Sequence, residues 1–501
     1  VAICSAPANP ARSTVSAGLR GEATRRDYVR VMALVDVLSA TDRAFLDLER
    51  RLAGMHVGAV VVLGPSDLVM ADGAPDLARI GALVAAGLAA APRFRQRVAA
   101  VPGLGAVWVD DPGFRLEAHL HRAALLRPGR DAELFELAGA IFSRPLPLGG
   151  PLWELWLVEG MAAGRLAIVL KAHHALVDGV GGLGVLTAIV RFAAEDAHPR
   201  EPAWLAQPHP LPWVVRTLAQ ARVRQLGELR AGLRETVRDR SGLARARDVA
   251  VGLARTLRTG LTPASRTALN PSRIGGERVF AGARFDLARV NAVRSVFGGT
   301  VNDIALAITA GGLRRSLSRM GDDVEHLRSF RALVPVDLRP RTGEAGIGNH
   351  IALLLAELPV GEPDARARLA RVRETIDELK HGSHEIEGTA FLERVGDLAG
   401  PNLVSLTFTL AMRLRAFNVV VTNMAGPPVP AYLARSRVEA VYPLVPLFSH
   451  QALGVAWLGY DGWLHLGLHA DAAVLPSLHA VSADFTAAFE ELAAAASPVL
   501  H

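Results

Sequence analysis

Leu166-Ala167-Ile168-Val169-Leu170-Lys171-Ala172-His173-His174-Ala175-Leu176-Val177-Asp178-Gly179 is the stretch on which the reading of this 501-residue chain turns. Arg165–Ala172 has the apolar, β-branched character of a buried strand. A second such run, Trp153–Glu159, precedes it across Gly160-Met161-Ala162-Ala163-Gly164, which predicts a hairpin. The strand delivers two histidines into a loop, and a Gly-rich helix is expected over Gly182–Ala194. His174 therefore stands at a rigid strand end close to a helix N-terminus, where a side chain can project into a cleft. Neutral imidazole is the side chain best matched to taking a proton near neutral pH, so His174 is the expected general base, with His173 in support.

Only one ring nitrogen can take that proton, and the other must be held by a group that fixes the tautomer. Asp178 is the nearest carboxylate. It also sits just ahead of a helix, where an aspartate normally caps backbone N–H groups. A structural role, by capping or by pairing with an arginine such as Arg339, is the expectation. Gly179 allows a tight backbone course. Adjacent side chains of an extended chain point in opposing directions, and no third ligand has suitable spacing, so no metal is expected here.

Outward from the motif, residues 32–197 mix strands and helices. Val57–Leu63 predicts a buried strand, and Asp76–Ala90 a helix ended by Pro92. Residues 198–275 change character. A proline-rich lead-in (Pro202, Pro208, Pro210, Pro212) is followed by helical spacing over Val214–Thr259 with many arginines. That pattern fits either a solvated connector or a basic surface for anionic lipid. Residues 276–501 return to alternating elements. Helices are expected over Thr300–Leu317, Ala365–Lys380 and Pro476–Ala496, and strands over Phe330–Val336, His350–Leu358 and Phe417–Thr422. Ala452–Leu458 and Trp463–His469 flank Tyr460-Asp461-Gly462, a hairpin turn. His350, His450, His465 and His469 lie on or beside strands and read as satisfied structural histidines. The fold class is α/β (α+β), with two mixed-sheet units and a helical connector.

Half the residues are apolar and the mean hydropathy is +0.25. The longest apolar runs, such as Ile80–Ala91 and Val185–Ala194, fall short of the roughly 20 residues a membrane span requires. The net charge of +6 is almost all arginine, since lysine occurs only at Lys171 and Lys380. No basic stripe is interleaved with aromatic residues, which argues against nucleic-acid binding. The single cysteine, Cys4, precludes an internal disulfide and fits a reducing compartment. Residues 1–31 lack the apolar core of a secretion signal. They read as a disordered extension or as lying ahead of a native start at Met32. A cytoplasmic protein is expected, with peripheral contact to membrane or lipid droplet left open.

The chain resembles the bacterial wax ester synthase/diacylglycerol acyltransferases from about Met32 to its C-terminus, least of all over the connector. His173-His174-Ala175-Leu176-Val177-Asp178-Gly179 matches the His-His-x-x-x-Asp-Gly run of the wider chloramphenicol-acetyltransferase-like group. That run alone does not fix a substrate. Pro151-Leu152-Trp153 and Asn302-Asp303 match two motifs of the lipid family. Leu38-Ser39-Ala40-Thr41-Asp42, Phe45-Leu46-Asp47-Leu48-Glu49, Val334–Arg339 and Thr422–Pro427 are similar as well. The resemblance implies two chloramphenicol-acetyltransferase-like domains with an interdomain tunnel. Acyl-CoA is implied as a substrate, with no cofactor, and diacylglycerol or a long-chain alcohol as acceptor. His174 would deprotonate the acceptor, with no acyl-enzyme. No serine elbow or catalytic cysteine stands out in the chain, in keeping with that route. Asn302 reads either as a group orienting substrate or supporting the oxyanion, or as the N-cap of a helix beginning near Asp303. Trp153 reads first as a core residue and second as an acyl contact. The rival readings are a condensation-type or small-molecule acetyltransferase on the same fold, and a non-catalytic lipid-binding relative.

Overall fold

The computed structural model describes residues 37–49, 54–176 (except 66, 71, 72 and 103), 209–238, 262–337, 351–381 and 415–497, with 190, 192, 206 and 207. The expected helix Gly182–Ala194, the second half of the basic segment, Arg339 and His350 lie outside these residues.

Two six-stranded sheets dominate. The first runs β11-β12-β1-β6-β5-β4. Its strands are β1 (His56–Leu63), β4 (Leu120–Ala124), β5 (Trp153–Glu159), β6 (Leu166–His173), β11 (Tyr432–Leu433) and β12 (Ser436–Leu444). The second runs β7-β14-β13-β10-β8-β9. It comprises β7 (Arg278–Asp286), β8 (Arg331–Asp337), β9 (Ile351–Glu357), β10 (Val419–Ala425), β13 (Leu453–Tyr460) and β14 (Trp463–Asp471). A short ribbon pairs β2 (Gln96–Val101) with β3 (Gly105–Asp110). Both large sheets are mixed: β4–β5, β8–β10 and β10–β13 are parallel, and the remaining ladders antiparallel.

Strand β6 shows why the quoted stretch reads as a nearly unbroken apolar run. All of its residues are buried, because both faces are covered. Leu166, Ile168, Leu170 and Ala172 face a cluster shared with helix α2 (Leu77–Ala90). Ala167 and Val169 face helix α3 (Asp131–Phe142). Gly58 on β1 lies so close to β6 that a Cβ there would collide with the Leu170 carbonyl oxygen. The predicted hairpin between β5 and β6 forms, as does that between β13 and β14. The latter closes through Asp461 and Gly462, both at positive φ (45° and 79°), the geometry of a two-residue primed turn.

The second sheet packs against α5 (Leu287–Phe297), α6 (Val301–Arg319), α7 (Ala365–His381) and α8 (His479–Ala496). Helix α6 is its central pillar, buried nearly all round from Asp303 to Leu313.

The expected division at residue 276 does not hold for the sheets. Strands β11 and β12 belong to the C-terminal segment by sequence, yet they extend the first sheet beyond β1. The ladder runs from Gly58 opposite Leu444 to Leu63 opposite Val438. A strand's partner is chosen by which sheet edge it meets, a non-local matter that composition along the chain does not encode. The exchange also welds the halves together: β12 lies against β14, where a Cβ on Gly467 would strike the Pro443 carbonyl oxygen.

The basic segment contains helix α4 (Leu211–Arg238). It is more than a solvated spacer. Val214 and Leu218 pack on Val107 and Val109 of β3. Its outer side exposes Leu211, Val223 and Leu226 beside Arg216, Arg224 and Arg230.

Candidate active site

Helix α1 (Ala40–Glu49), β1, β5 and the end of β6 converge on the two histidines. The backbone pins both. His173 N–H donates to the Leu152 carbonyl at 2.9 Å, and His174 N–H to the Met55 carbonyl at 2.8 Å. A short 3-10 turn, His174–Leu176, follows at once. The Pro-Leu-Trp motif thus supplies a carbonyl that holds the strand end. Its Trp153 is fully buried, donates from Nε1 to the Phe94 carbonyl at 2.7 Å, and stacks on His119 with ring centroids 4.7 Å apart. These are the contacts of a core residue.

The two rings occupy different surroundings. The His174 ring lies 4.2 Å from that of Phe45 on α1. Phe45 belongs to a cluster built from both halves, which includes Met55, Leu333, Val420, Val445 and Phe448. Ala175 and Leu176 share a second such cluster with Leu458 and Tyr460. His174 therefore sits at the seam between the sheets. Burial pushes its pKa down to about 4, so the neutral imidazole is the form present at pH 7. Nδ1 is buried and has no hydrogen-bond partner among the described residues. Asp178 and Gly179, expected to support the motif, lie outside those residues.

His173 points the other way and is wholly buried. Its Nδ1 accepts from Ala175 N–H at 3.0 Å, which leaves the proton on Nε2. That nitrogen faces the Glu49 carboxylate at 3.8 Å, and the same carboxylate lies 3.4 Å from His56 Nε2. Burial raises the Glu49 carboxyl, but His56 and the Met55 N–H outweigh it and hold the group below the usual carboxylate range. Burial drives His173 down to about 3, against the opposing pull of Glu49, and also lowers His56. Beneath them Lys171 is fully buried, its ammonium donating to the Ile141 and Arg144 carbonyls. Desolvation brings it down to about 8, so it remains largely cationic at neutral pH.

Glu49 and His56 were not among the expected site residues. Glu49 lies within the Phe45–Glu49 motif, but only the β1–β6 register, with His56 opposite His173, reveals that the three groups meet. Among the described residues no cluster of His, Cys, Asp and Glu could hold a metal ion.

Asn302 and Asp303 separate in role. The N-cap of α6 is Thr300, and Asp303 completes a capping box by accepting from Thr300 N–H at 2.7 Å. Asn302 is not the cap. Its Oδ1 accepts from Asn423 Nδ2 at 3.1 Å, joining two motifs that lie 121 residues apart. His450 and His469 each hydrogen-bond a backbone carbonyl through Nδ1. His465, expected to be satisfied, is buried with neither ring nitrogen well partnered among the described residues.

Comparison with known proteins places this geometry. The wax ester synthase/diacylglycerol acyltransferase catalytic-domain model matches residues 38–305, and the C-terminal domain model of the same family matches residues 347–493. The chain belongs to that family. It is an acyltransferase. A probable diacylglycerol O-acyltransferase of Mycobacterium tuberculosis is 31% identical over 453 residues, covering 87% of this chain and 91% of the relative. A putative diacylglycerol O-acyltransferase of the same organism is 30% identical over 92% of this chain and 90% of its own length. Among solved structures, the wax ester synthase/diacylglycerol acyltransferase from Marinobacter aquaeolei VT8 superposes with a TM-score of 0.63 at 28% identity. It covers 92% of this chain and all of that one. A condensation domain of the calcium-dependent antibiotic synthetase shares the fold at 16% identity, with a TM-score of 0.57 over 92% and 97% of the two chains. The mixed α/β, chloramphenicol-acetyltransferase-like fold is thus shared with that family and with condensation domains.

Proposed function

We propose that this acyltransferase esterifies diacylglycerol or a long-chain alcohol with the acyl group of acyl-CoA, and that His174 is the general base. The observation that carries the reading is a neutral imidazole at the seam of two sheets, backed by Phe45 and anchored through its own backbone. Acyl-CoA and acceptor would meet along a tunnel at that seam. His174 takes the acceptor hydroxyl's proton as the oxygen attacks the thioester carbonyl. The tetrahedral oxyanion then collapses with cleavage of the C–S bond, and the thiolate leaves as CoA after taking from the imidazolium the proton that the acceptor gave up. Acyl-CoA enters as a substrate, and the scheme uses no resident cofactor. Asn302 accepts from Asn423 through its oxygen, and its amide N–H groups, without a partner among the described residues, would donate to the developing oxyanion.

No single described helix is long and apolar enough to cross a membrane. Contact with a membrane or lipid droplet would instead use the exposed apolar and arginine side chains of α4, a pairing suited to an anionic lipid surface. The test is incubation of the purified chain with palmitoyl-CoA and either dioleoylglycerol or hexadecanol, with free CoA and the ester product both measured. Stoichiometric CoA and triacylglycerol or wax ester are expected. Failure to release CoA with any glyceride or alcohol would overturn the reading in favour of a lipid-binding relative.

A further inference from the structure

We propose that Glu49 is a positioning residue: its buried carboxylate keeps the His173 proton on Nε2, so that the Nδ1 lone pair can fix the turn that presents His174. The inference rests on the reading of His174 as the base, but its own readout does not depend on turnover.

The geometry that carries it is a closed set of contacts around α1. Phe45 and Glu49 are four residues apart and so share one face of the helix. Phe45 meets the His174 ring, and Glu49 meets His173. The Glu49 carboxylate also accepts from Met55 N–H, and the Met55 carbonyl in turn accepts from His174 N–H. One short helix therefore grips both histidines, directly and through a single intervening residue.

The carboxylate matters because His173 has only one proton to place. Ala175 N–H needs an acceptor, and His173 Nδ1 is its partner at 3.0 Å. Were the proton on Nδ1, two donors would face each other inside a buried turn, which is costly where no water can intervene. At 3.8 Å the Nε2–Glu49 approach is too long for a hydrogen bond, so the preference is electrostatic: the N–H dipole is drawn toward a buried anion. His56, on the other side of the carboxylate, and the Met55 N–H keep that anion ionised and in place. Its side chain is 7% exposed, so little solvent weakens the effect.

The test is histidine-selective ¹⁵N NMR of the full chain combined with kinetics. The wild-type His173 resonances, identified by their loss in His173→Ala, should show the neutral Nε2–H tautomer. In Glu49→Gln the proton should redistribute toward Nδ1. kcat with palmitoyl-CoA and dioleoylglycerol should fall on the order of 10²-fold, as expected for a displaced catalytic group, with KM within twofold. In a His173→Ala background, Glu49→Gln should cause no further fall in kcat. A wild-type Nδ1–H tautomer overturns the proposal even if Glu49→Gln does not fold. So does an unchanged tautomer in Glu49→Gln, or a loss that multiplies fully with that of His173→Ala. Failure of the base assignment would show separately, as turnover retained by His174→Ala with the tautomer result intact.

Discussion

At the residue scale, the paired histidines divide the work between them. His173 is locked into the wall by Ala175 N–H and faces Glu49, whereas His174 stands at the seam against Phe45. The alternation of a strand end forces that division, and it was legible in the sequence as two adjacent side chains with opposite directions. The identity of the buried carboxylate was not, because Glu49 reaches His173 only through the fold. The pH dependence of kcat/KM tests the electrostatics. His174 must be neutral to accept a proton, and burial lowers its pKa from 6.5 to about 4. The neutral form therefore persists as the pH falls through 6.5 and is lost only as it approaches 4. An acid limb near 4 is expected, and one near 6.5 would show an imidazole in water-like surroundings.

At the element scale, strand and helix identities were largely legible, since β6, α2, α6 and the β13–β14 hairpin carry strong periodic or turn signals. Caps were less so. Thr300 and Asp303 bracket the start of α6 in a reciprocal capping pair that the Asn302-Asp303 run does not by itself reveal. Thr300→Ala should lower unfolding stability by about 1 kcal/mol, measured by denaturant titration, as loss of an N-cap typically does. Gly467 belongs to the same scale. Its Cβ-less backbone lets β14 approach Pro443 of β12, so Gly467→Ala should destabilise the chain by about 1–3 kcal/mol through overpacking at the seam. A variant as stable as wild type would mean that the two strands can separate without loss.

At the scale of the whole molecule, the exchange of β11 and β12 into the first sheet is the feature the sequence concealed. Ser436–Leu444 has no local mark of the partner it chooses, and contiguous domains at residue 276 were the natural expectation. The exchange makes the seam a buried interior, and three further histidines are buried within the sheets around it. His173 and His469 are held near 3 and His465 near 4, in each case chiefly by burial. Their folded-state values lie below the unfolded value of 6.5, so between pH 6.5 and 4 the unfolded chain binds more protons. Stability should fall with pH across that window, by up to about 1.4 kcal/mol per pH unit for each such histidine. Thermal denaturation from pH 8 to 4.5 would check this, with a plateau above 6.5 and a progressive decline below it. The central claim concerns the seam-facing imidazole itself. Single-turnover ester formation from palmitoyl-CoA and dioleoylglycerol, measured for wild type and a folded His174→Ala variant, tests it most directly. A fall of about 10²–10⁴-fold in rate, with thermal unfolding unchanged, is the predicted result, and a variant that retains most of the wild-type rate would contradict it.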